Sequence, residues 1–385
     1  MLLLAATSRT PGKRHTPVAT SGLTADRLTS SRYTLPMTDT PLRAAVIGLG
    51  AMGANHARVY AQIDGVELAA VADTDPARVD AATRGRRARG YGDYRRMLAE
   101  ERVDLLTVAV PTRAHLDVAA HVIDRGVPLL VEKPLAATLA EGERLRDLAA
   151  ASGVPLMVGH IERFNPAVVE LQARLRAGQL GRVFQVHARR VGPFPERVRD
   201  VGVVLDLAPH DIDVMRFLLG SEVARVQAET EQRINTEHED MLAGLLRFAN
   251  GVVGVLDINW LTPTKIRELS VLGERGMFVV DYLARDLTFY ENAHVSGSPA
   301  AEGQPIDWAA RHLKGVSEGP VHMLHVEKRE PLRVELETFA RAVRDGTPVA
   351  VTADDGLAAM AAAEALVRSA RTGASVSLPI AARSA

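Results

Sequence analysis

Residues 42–60, Leu-Arg-Ala-Ala-Val-Ile-Gly-Leu-Gly-Ala-Met-Gly-Ala-Asn-His-Ala-Arg-Val-Tyr, leave the chain few ways to begin its fold. An apolar run from Ala44 to Ile47 feeds a glycine turn, and a helical pattern follows at once. Each glycine answers a separate steric demand. Gly48 permits the tight strand-to-helix turn, Gly50 lets backbone approach a pyrophosphate, and Gly53 lets the helix pack on its strand. The free N–H groups at the helix start, around Ala51 and Met52, then face the phosphates. A second apolar strand, Val66–Ala72, ends in Asp73. A carboxylate there accepts both ribose hydroxyls of the adenosine half and repels a 2′-phosphate. The pattern predicts a dinucleotide site. NAD is favoured over NADP because Thr74 and Asp75, not an arginine, follow Asp73; Arg78 is near enough to keep NADP as the lesser alternative.

A chain of 385 residues has room for two domains, each with its own core. Its 46 basic and 47 acidic residues nearly cancel, so no overall field draws it to nucleic acid or to a membrane surface. It has no cysteine, which excludes disulfides, iron–sulfur clusters, thiol nucleophiles and cysteine-bound zinc, and suits a cytoplasmic location. No apolar run approaches the roughly 20 residues of a membrane span. Residues 1–40 are rich in Ser, Thr, Arg and Pro, without hydrophobic period, and read as a disordered leader. Met37, just before the first strand, is the expected true start of translation.

Strand and helix patterns alternate up to about residue 160. Helix Pro76–Arg87 is followed by the apolar strand Val103–Val110 ending at Pro111-Thr112, helix Ala114–Asp124, and strand Pro128–Val131 leading to Glu132-Lys133-Pro134. A helix over about 139–151 and strand Pro155–Val158 complete the run, which predicts an α/β domain with a parallel sheet over 42–160. From Phe184 the strands alternate and short turns join them. Leu242–Phe248 and Val252–Trp260 flank Asn250-Gly251, a strong hairpin signal, and Arg267–Leu272 and Met277–Tyr282 flank another tight turn. Residues 161–380 are therefore expected to form an α+β domain on a largely antiparallel sheet, closed by helices near 333–345 and 355–371.

Asp206, His210 and Asp213 lie at i, i+4 and i+7, one face of a helix. Pro209 is tolerable if that helix starts near Asp206, which makes Asp206 its expected N-cap. A histidine in the first turn feels the positive helix end and stays neutral, as a general base for an alcohol must, and an adjacent carboxylate can fix its tautomer. An N-cap aspartate beside a structural histidine is the plain alternative. Lys133 is one of only five lysines and ends a core strand, on the edge where α/β sheets bind ligands. A cation there can hold a substrate oxygen as it becomes an alkoxide.

Taken together, Gly48-x-Gly50-x-x-Gly53, Asp73, Glu132-Lys133-Pro134 and Asp206-x-x-x-His210-x-x-Asp213 resemble the Gfo/Idh/MocA oxidoreductases over about residues 42–380. The resemblance implies a Rossmann domain followed by an open-faced sheet that forms the interface of a homodimer or homotetramer. It implies that Lys133, Asp206 and His210 are catalytic, and that the Lys133–Pro134 bond is cis. The cofactor is then expected on Gly48, Gly50, Ala51, Met52, Gly53, Asp73, Pro111, Thr112, His115, Glu132 and Lys133. Ala208-Pro209 departs from the glycine common in the family.

The run Gly159-His-Ile-Glu-Arg163-Phe-Asn165-Pro166 and the Arg189, Arg190, Arg197, Arg199 cluster look like the family's UDP-N-acetylglucosamine 3-dehydrogenase branch. Guanidinium forks match a diphosphate, so Arg163, Asn165, Arg190 and Arg199 join Asp206 and His210 as expected substrate contacts. The expected reaction is NAD-dependent oxidation of a ring hydroxyl of a nucleotide sugar, most simply UDP-N-acetylglucosamine to its 3-keto form. A free sugar or cyclitol such as myo-inositol is the alternative, and a non-catalytic nucleotide sensor a remote one. No metal is expected, since His238-Glu-Asp240 and His322…His325 lack the context of a metal site.

Overall fold

The computed structural model describes residues 40–195, 201–234, 237–293 and 318–379. The leader, the Met37 start, Arg197 and Arg199 lie outside these described residues.

The first half runs β1 (Leu42–Ile47), α1 (Ala51–Tyr60), β2 (Val66–Ala72), α2 (Pro76–Thr83), β3 (Arg89–Tyr91), α3 (Tyr94–Glu100), β4 (Leu105–Val108), α4 (His115–Asp124), β5 (Leu129–Glu132), α5 (Leu139–Ser152) and β6 (Leu156–Gly159). Its six strands are parallel, in the order β3-β2-β1-β4-β5-β6. That is the doubly wound order of a dinucleotide fold, with its switch point between β1 and β4. Local chemistry sets the joints. Asp75 caps α2 through Ala77 N–H with Pro76 at the first helical position, and Thr138 caps α5. Strands β4, β5 and β6 are buried along their whole length, as sheets covered on both faces require.

The second half runs α6 (Pro166–Arg176), β7 (Val183–Pro193), α7 (Val203–Leu219), β8 (Val223–Glu231), β9 (Met241–Phe248), β10 (Val253–Asn259), β11 (Leu261–Gly273), β12 (Gly276–Asp281), β13 (Asp286–Asn292), β14 (Glu318–Leu324), α8 (Pro331–Asp345), α9 (Ala353–Thr372) and β15 (Val376–Ser377). The nine-stranded sheet is antiparallel except where β7 pairs with β10. Gly251, at φ +87°, turns the expected hairpin between β9 and β10. One face packs on α7 and α9 through Val204, Ala208, Ile212, Leu246, Leu256 and Leu366. On the other face Leu272, Met277, Tyr290 and Val321 stand in register across four strands. Leu272, Tyr290 and Val321 in that row are exposed.

Helix α7 corrects the sequence reading. It starts at Val203, and Gly202 rather than Asp206 is its N-cap. Glu239 supplies the missing cap, its backbone carbonyl accepting from Val203 N–H and its carboxylate from Val204 N–H. Pro209 therefore sits inside the helix, where it withholds the donor that the Leu205 carbonyl would use.

Helix α8 carries Glu335 into the interior, with neither carboxyl oxygen partnered among the described residues. Burial, and after it the charge of Glu132, pushes its pKa well above the usual carboxylate value, so the folded protein keeps it neutral. The unfolded chain loses that proton near pH 4.5, so the stability contributed by the group falls as pH rises from there towards the folded pKa. Glu335→Gln removes this slope. Its unfolding free energy is expected to gain on the wild type by up to about 1.4 kcal/mol per pH unit above that point. Denaturant titrations at about pH 5 and about pH 8 read the difference; equal differences at both would mean that Glu335 is ionised in the fold.

Candidate active site

The glycine turn behaves as its sequence demands. Gly48 has φ +89°, and a Cβ there would lie 2.6 Å from the Ala109 carbonyl oxygen. A Cβ on Gly53 would lie 1.8 Å from the Gly48 oxygen. At Gly50 nothing stands within 4 Å, and it opens onto a cavity of about 770 Å³ at the switch point. Gly48, Asp73, Thr74, Arg78, Val110 and Pro111 line the same cavity. No side chain caps α1, so the N–H groups of its exposed first residues, Ala51 and Met52, are left for an anion. Asp73 accepts from Leu49 N–H at 2.6 Å and from Asp75 N–H at 2.9 Å, which holds its carboxylate at the end of β2. Arg78 stands 3.8 Å from that carboxylate. These residues fit NAD: Gly50 and the first N–H groups of α1 would hold its pyrophosphate, and Asp73 its ribose hydroxyls.

Two expected cofactor contacts are turned inward instead. His115 is buried, its ring nitrogens facing the carbonyls of Val110, Pro134 and Leu135, and burial lowers its pKa. It ties the loop after β4 to the loop after β5. Glu132 is bound to His56 Nε2 at 2.8 Å and accepts from Lys133 N–H at 3.1 Å. Thr112 lies in a short 3-10 turn after Pro111.

Next to Glu132, the Lys133–Pro134 peptide is cis. Lys133 Nζ reaches across to α7, donating to Asp206 Oδ1 and to the Asp206 carbonyl, both at 3.1 Å. An ammonium has three donors, so one is left for a ligand. His210 follows one turn later, its Nδ1 buried and unpartnered among the described residues. Its pKa is well below the usual histidine value because of burial first, then Lys133 and Arg190. The imidazole is thus neutral, for a reason other than the expected one: His210 stands beyond the first turn of α7, and surrounding cations replace the helix dipole. Asp206 makes no hydrogen bond to it; the carboxylate orients Lys133 instead.

Three expected substrate contacts on the second half, Arg163, Asn165 and Arg190, are engaged by other groups of the protein. Arg163 grips Asp213 with two bonds of 2.5 and 2.6 Å and reaches Asp355 at 3.0 Å. Asn165 caps α6 through Ala167 N–H and donates to the Tyr282 carbonyl. Arg190 forks onto Asp211 at 2.7 and 3.0 Å, gives its remaining edge to Glu162 at 3.1 Å and stacks on Tyr282. Three of its five N–H donors are thus used inside the protein. Both arginines instead fasten α7, just after His210, to the turn Ile161–Phe164.

Sequence reasoning passed over Asp211, whose partner comes from a distant strand, and His160. His160 follows β6, is buried with Nδ1 unpartnered, and has its pKa lowered chiefly by burial. Its one sequence signal is that it opens the Gly159–Pro166 run. In the two fragments set aside as metal sites, Asp240 accepts from Arg233 and Ile234 N–H, and His322 pairs with Glu291.

A parallel sheet with this crevice at its switch point is that of a dinucleotide-binding domain, and the family model that it matches is that of NAD-binding oxidoreductases. The chain belongs to the Gfo/Idh/MocA family, matching "Oxidoreductase family, NAD-binding Rossmann fold" over residues 42–160 and "Oxidoreductase family, C-terminal alpha/beta domain" over 172–378. Among similar proteins, UDP-N-acetylglucosamine 3-dehydrogenase of Acidithiobacillus ferrooxidans is 29% identical over 84% of this chain and 95% of its own. Inositol 2-dehydrogenase of Acidothermus cellulolyticus is 32% identical over 88% and 95%. The solved structure of the A. ferrooxidans enzyme GnnA superposes with a TM-score of 0.73 at 28% identity, covering 86% of this chain and 98% of that one.

Proposed function

We propose that this dehydrogenase oxidises a secondary ring hydroxyl of a nucleotide sugar, of which UDP-N-acetylglucosamine, oxidised at C3, is the first to test. The observation that carries the reading is the reach of Lys133 from the end of β5 to Asp206, one turn before His210. The third donor of Lys133 takes the substrate oxygen and steadies it as negative charge develops. His210, neutral and walled by cations, accepts the hydroxyl proton. The residues of the glycine turn and Asp73 would hold NAD, which would supply the acceptor for the hydride of the carbinol carbon. Asp206 acts by holding Lys133 in place. The similarity to the A. ferrooxidans enzyme supports the nucleotide sugar.

A second reading is a free cyclitol such as myo-inositol. The internal pairing of Arg163 and Arg190 favours it, as does the 32% identity to an inositol 2-dehydrogenase. The deciding measurement follows NADH absorbance with NAD⁺ and, separately, UDP-N-acetylglucosamine, UDP-glucose, glucose and myo-inositol. Turnover of a UDP-sugar alone supports the first reading, and turnover of myo-inositol alone replaces it with the second. A spectrum of the denatured supernatant detects NADH held through purification. No described helix is long and apolar enough to cross a membrane. The exposed row Leu272, Tyr290 and Val321 supports a homodimer or homotetramer built on the open sheet face, which light scattering of the same sample reads. A cytoplasmic location, where NAD is at hand, is part of the same proposal.

A further inference from the structure

We propose that Arg267 is the anchor for an anionic group of the substrate, a phosphate or a carboxylate. The proposal rests on the reading above, that the space beside Lys133, Asp206 and His210 is where substrate binds.

In the sheet, Arg267 on β11 stands directly opposite Arg190 on β7, so the two side chains share the face that α7 covers. Like charges directly opposite across an antiparallel pair repel unless each is compensated. Arg190 has its compensation in Asp211 and Glu162. Arg267 has no ion pair among the described residues. It spends Nη1 on two backbone carbonyls, Val191 at 2.7 Å and Ile266 at 3.0 Å. The Nε and Nη2 donors, one planar edge of the fork, have no protein partner there. A half-buried guanidinium with an open edge is built for bidentate capture of an oxyanion.

Its neighbours say which ligand that is. Arg267 lies within electrostatic reach of Asp206 and of His210, and burial together with Arg190 lowers its own pKa. An anion placed on it would relieve both penalties. The residue does not line the dinucleotide cavity, whose walls come from the first half of the chain, so the anion belongs to the substrate and not to NAD. Arg267 thus takes the part that the sequence suggested for Arg190. A neutral cyclitol would leave its open edge to water.

The test uses the full chain loaded with NAD⁺ and calorimetric titration with two probes, UDP and D-glucuronate. The wild type is expected to bind at least one. UDP alone identifies a diphosphate as the natural anion, and glucuronate alone a carboxylate. Arg267→Gln is expected to weaken that probe by about 10- to 100-fold while NAD⁺ affinity stays within about twofold. Arg267→Lys keeps the charge and loses the fork, so it should fall between the two, and it carries the test if the glutamine variant does not fold. Wild-type protein that binds neither probe, or variants that bind both as tightly as wild type, would overturn the proposal. The two readings fail separately. UDP binding with no NADH from any of the four sugars removes the proposed substrate and leaves the anion site standing. NADH from myo-inositol without binding of either probe does the reverse.

Discussion

His210→Ala is expected to lower kcat by about 10²- to 10⁴-fold, the usual cost of losing a positioned general base. The side chain has the position and the charge state for that work. It is neutral because burial, Lys133 and Arg190 all disfavour its protonated form, and it stands on the same helix as the carboxylate that holds Lys133. The same environment fixes the pH behaviour. With the folded pKa depressed, the unfolded chain binds a proton below pH 6.5 that the native state refuses. Stability from this group is therefore present above that pH and drains away as pH falls below it. The alanine variant should lose that acid-side slope along with turnover. Single-turnover kinetics, with NAD⁺ affinity measured alongside, separates the chemical step from binding. Turnover within tenfold of wild type would remove His210 from the reaction.

Legibility in the sequence divided along a physical line. The glycine turn could be read because its tasks are set by backbone geometry within one strand–turn–helix unit, and the place of Asp73 because it directly ends the next strand. Gly48 must adopt a positive φ and Gly53 must let the helix touch its own turn, and both needs show in local spacing. The hairpin at Asn250-Gly251 is local in the same sense. The arginines and the inward-turned Glu132 were not legible, because their partners arrive from elsewhere. Arg190 looks like a phosphate fork until β7 is laid beneath α7 and Asp211 meets it. Arg267 looks like an ordinary strand residue until the register sets it opposite Arg190. Glu132 and His115 follow a motif to the crevice, yet His56 and three carbonyls hold them behind it. The start of α7 was misplaced for a related reason: its cap is the distant Glu239, which local spacing could not announce.

The second large effect concerns Asp213, which helical spacing puts on the stripe of Asp206 and His210 and the structure gives to Arg163. Asp213→Ala is expected to cost about 3–5 kcal/mol of stability, because it strands a buried guanidinium. The pair is almost wholly shielded from water, with side chains 1% and 6% exposed. Arg163 would keep only Asp355, whose carboxyl is held well below the usual range and is shared with Arg216. Replacing both partners with apolar residues of similar size should cost less than the single change, since no charge is then left unpaired. The kinetic expectation is opposite to that for His210. A protein lacking Asp213 should keep more turnover per folded molecule than one lacking His210, because the carboxylate touches neither the base nor Lys133. Denaturant midpoints and kcat measured on the same samples distinguish the roles. Wild-type stability combined with a loss of turnover as deep as that of His210→Ala would move Asp213 into the chemistry. The reverse pattern would make the Arg163–Asp213 pair a brace that seats the turn of α7 carrying His210, and would mean that this stripe divides its labour between reaction and support.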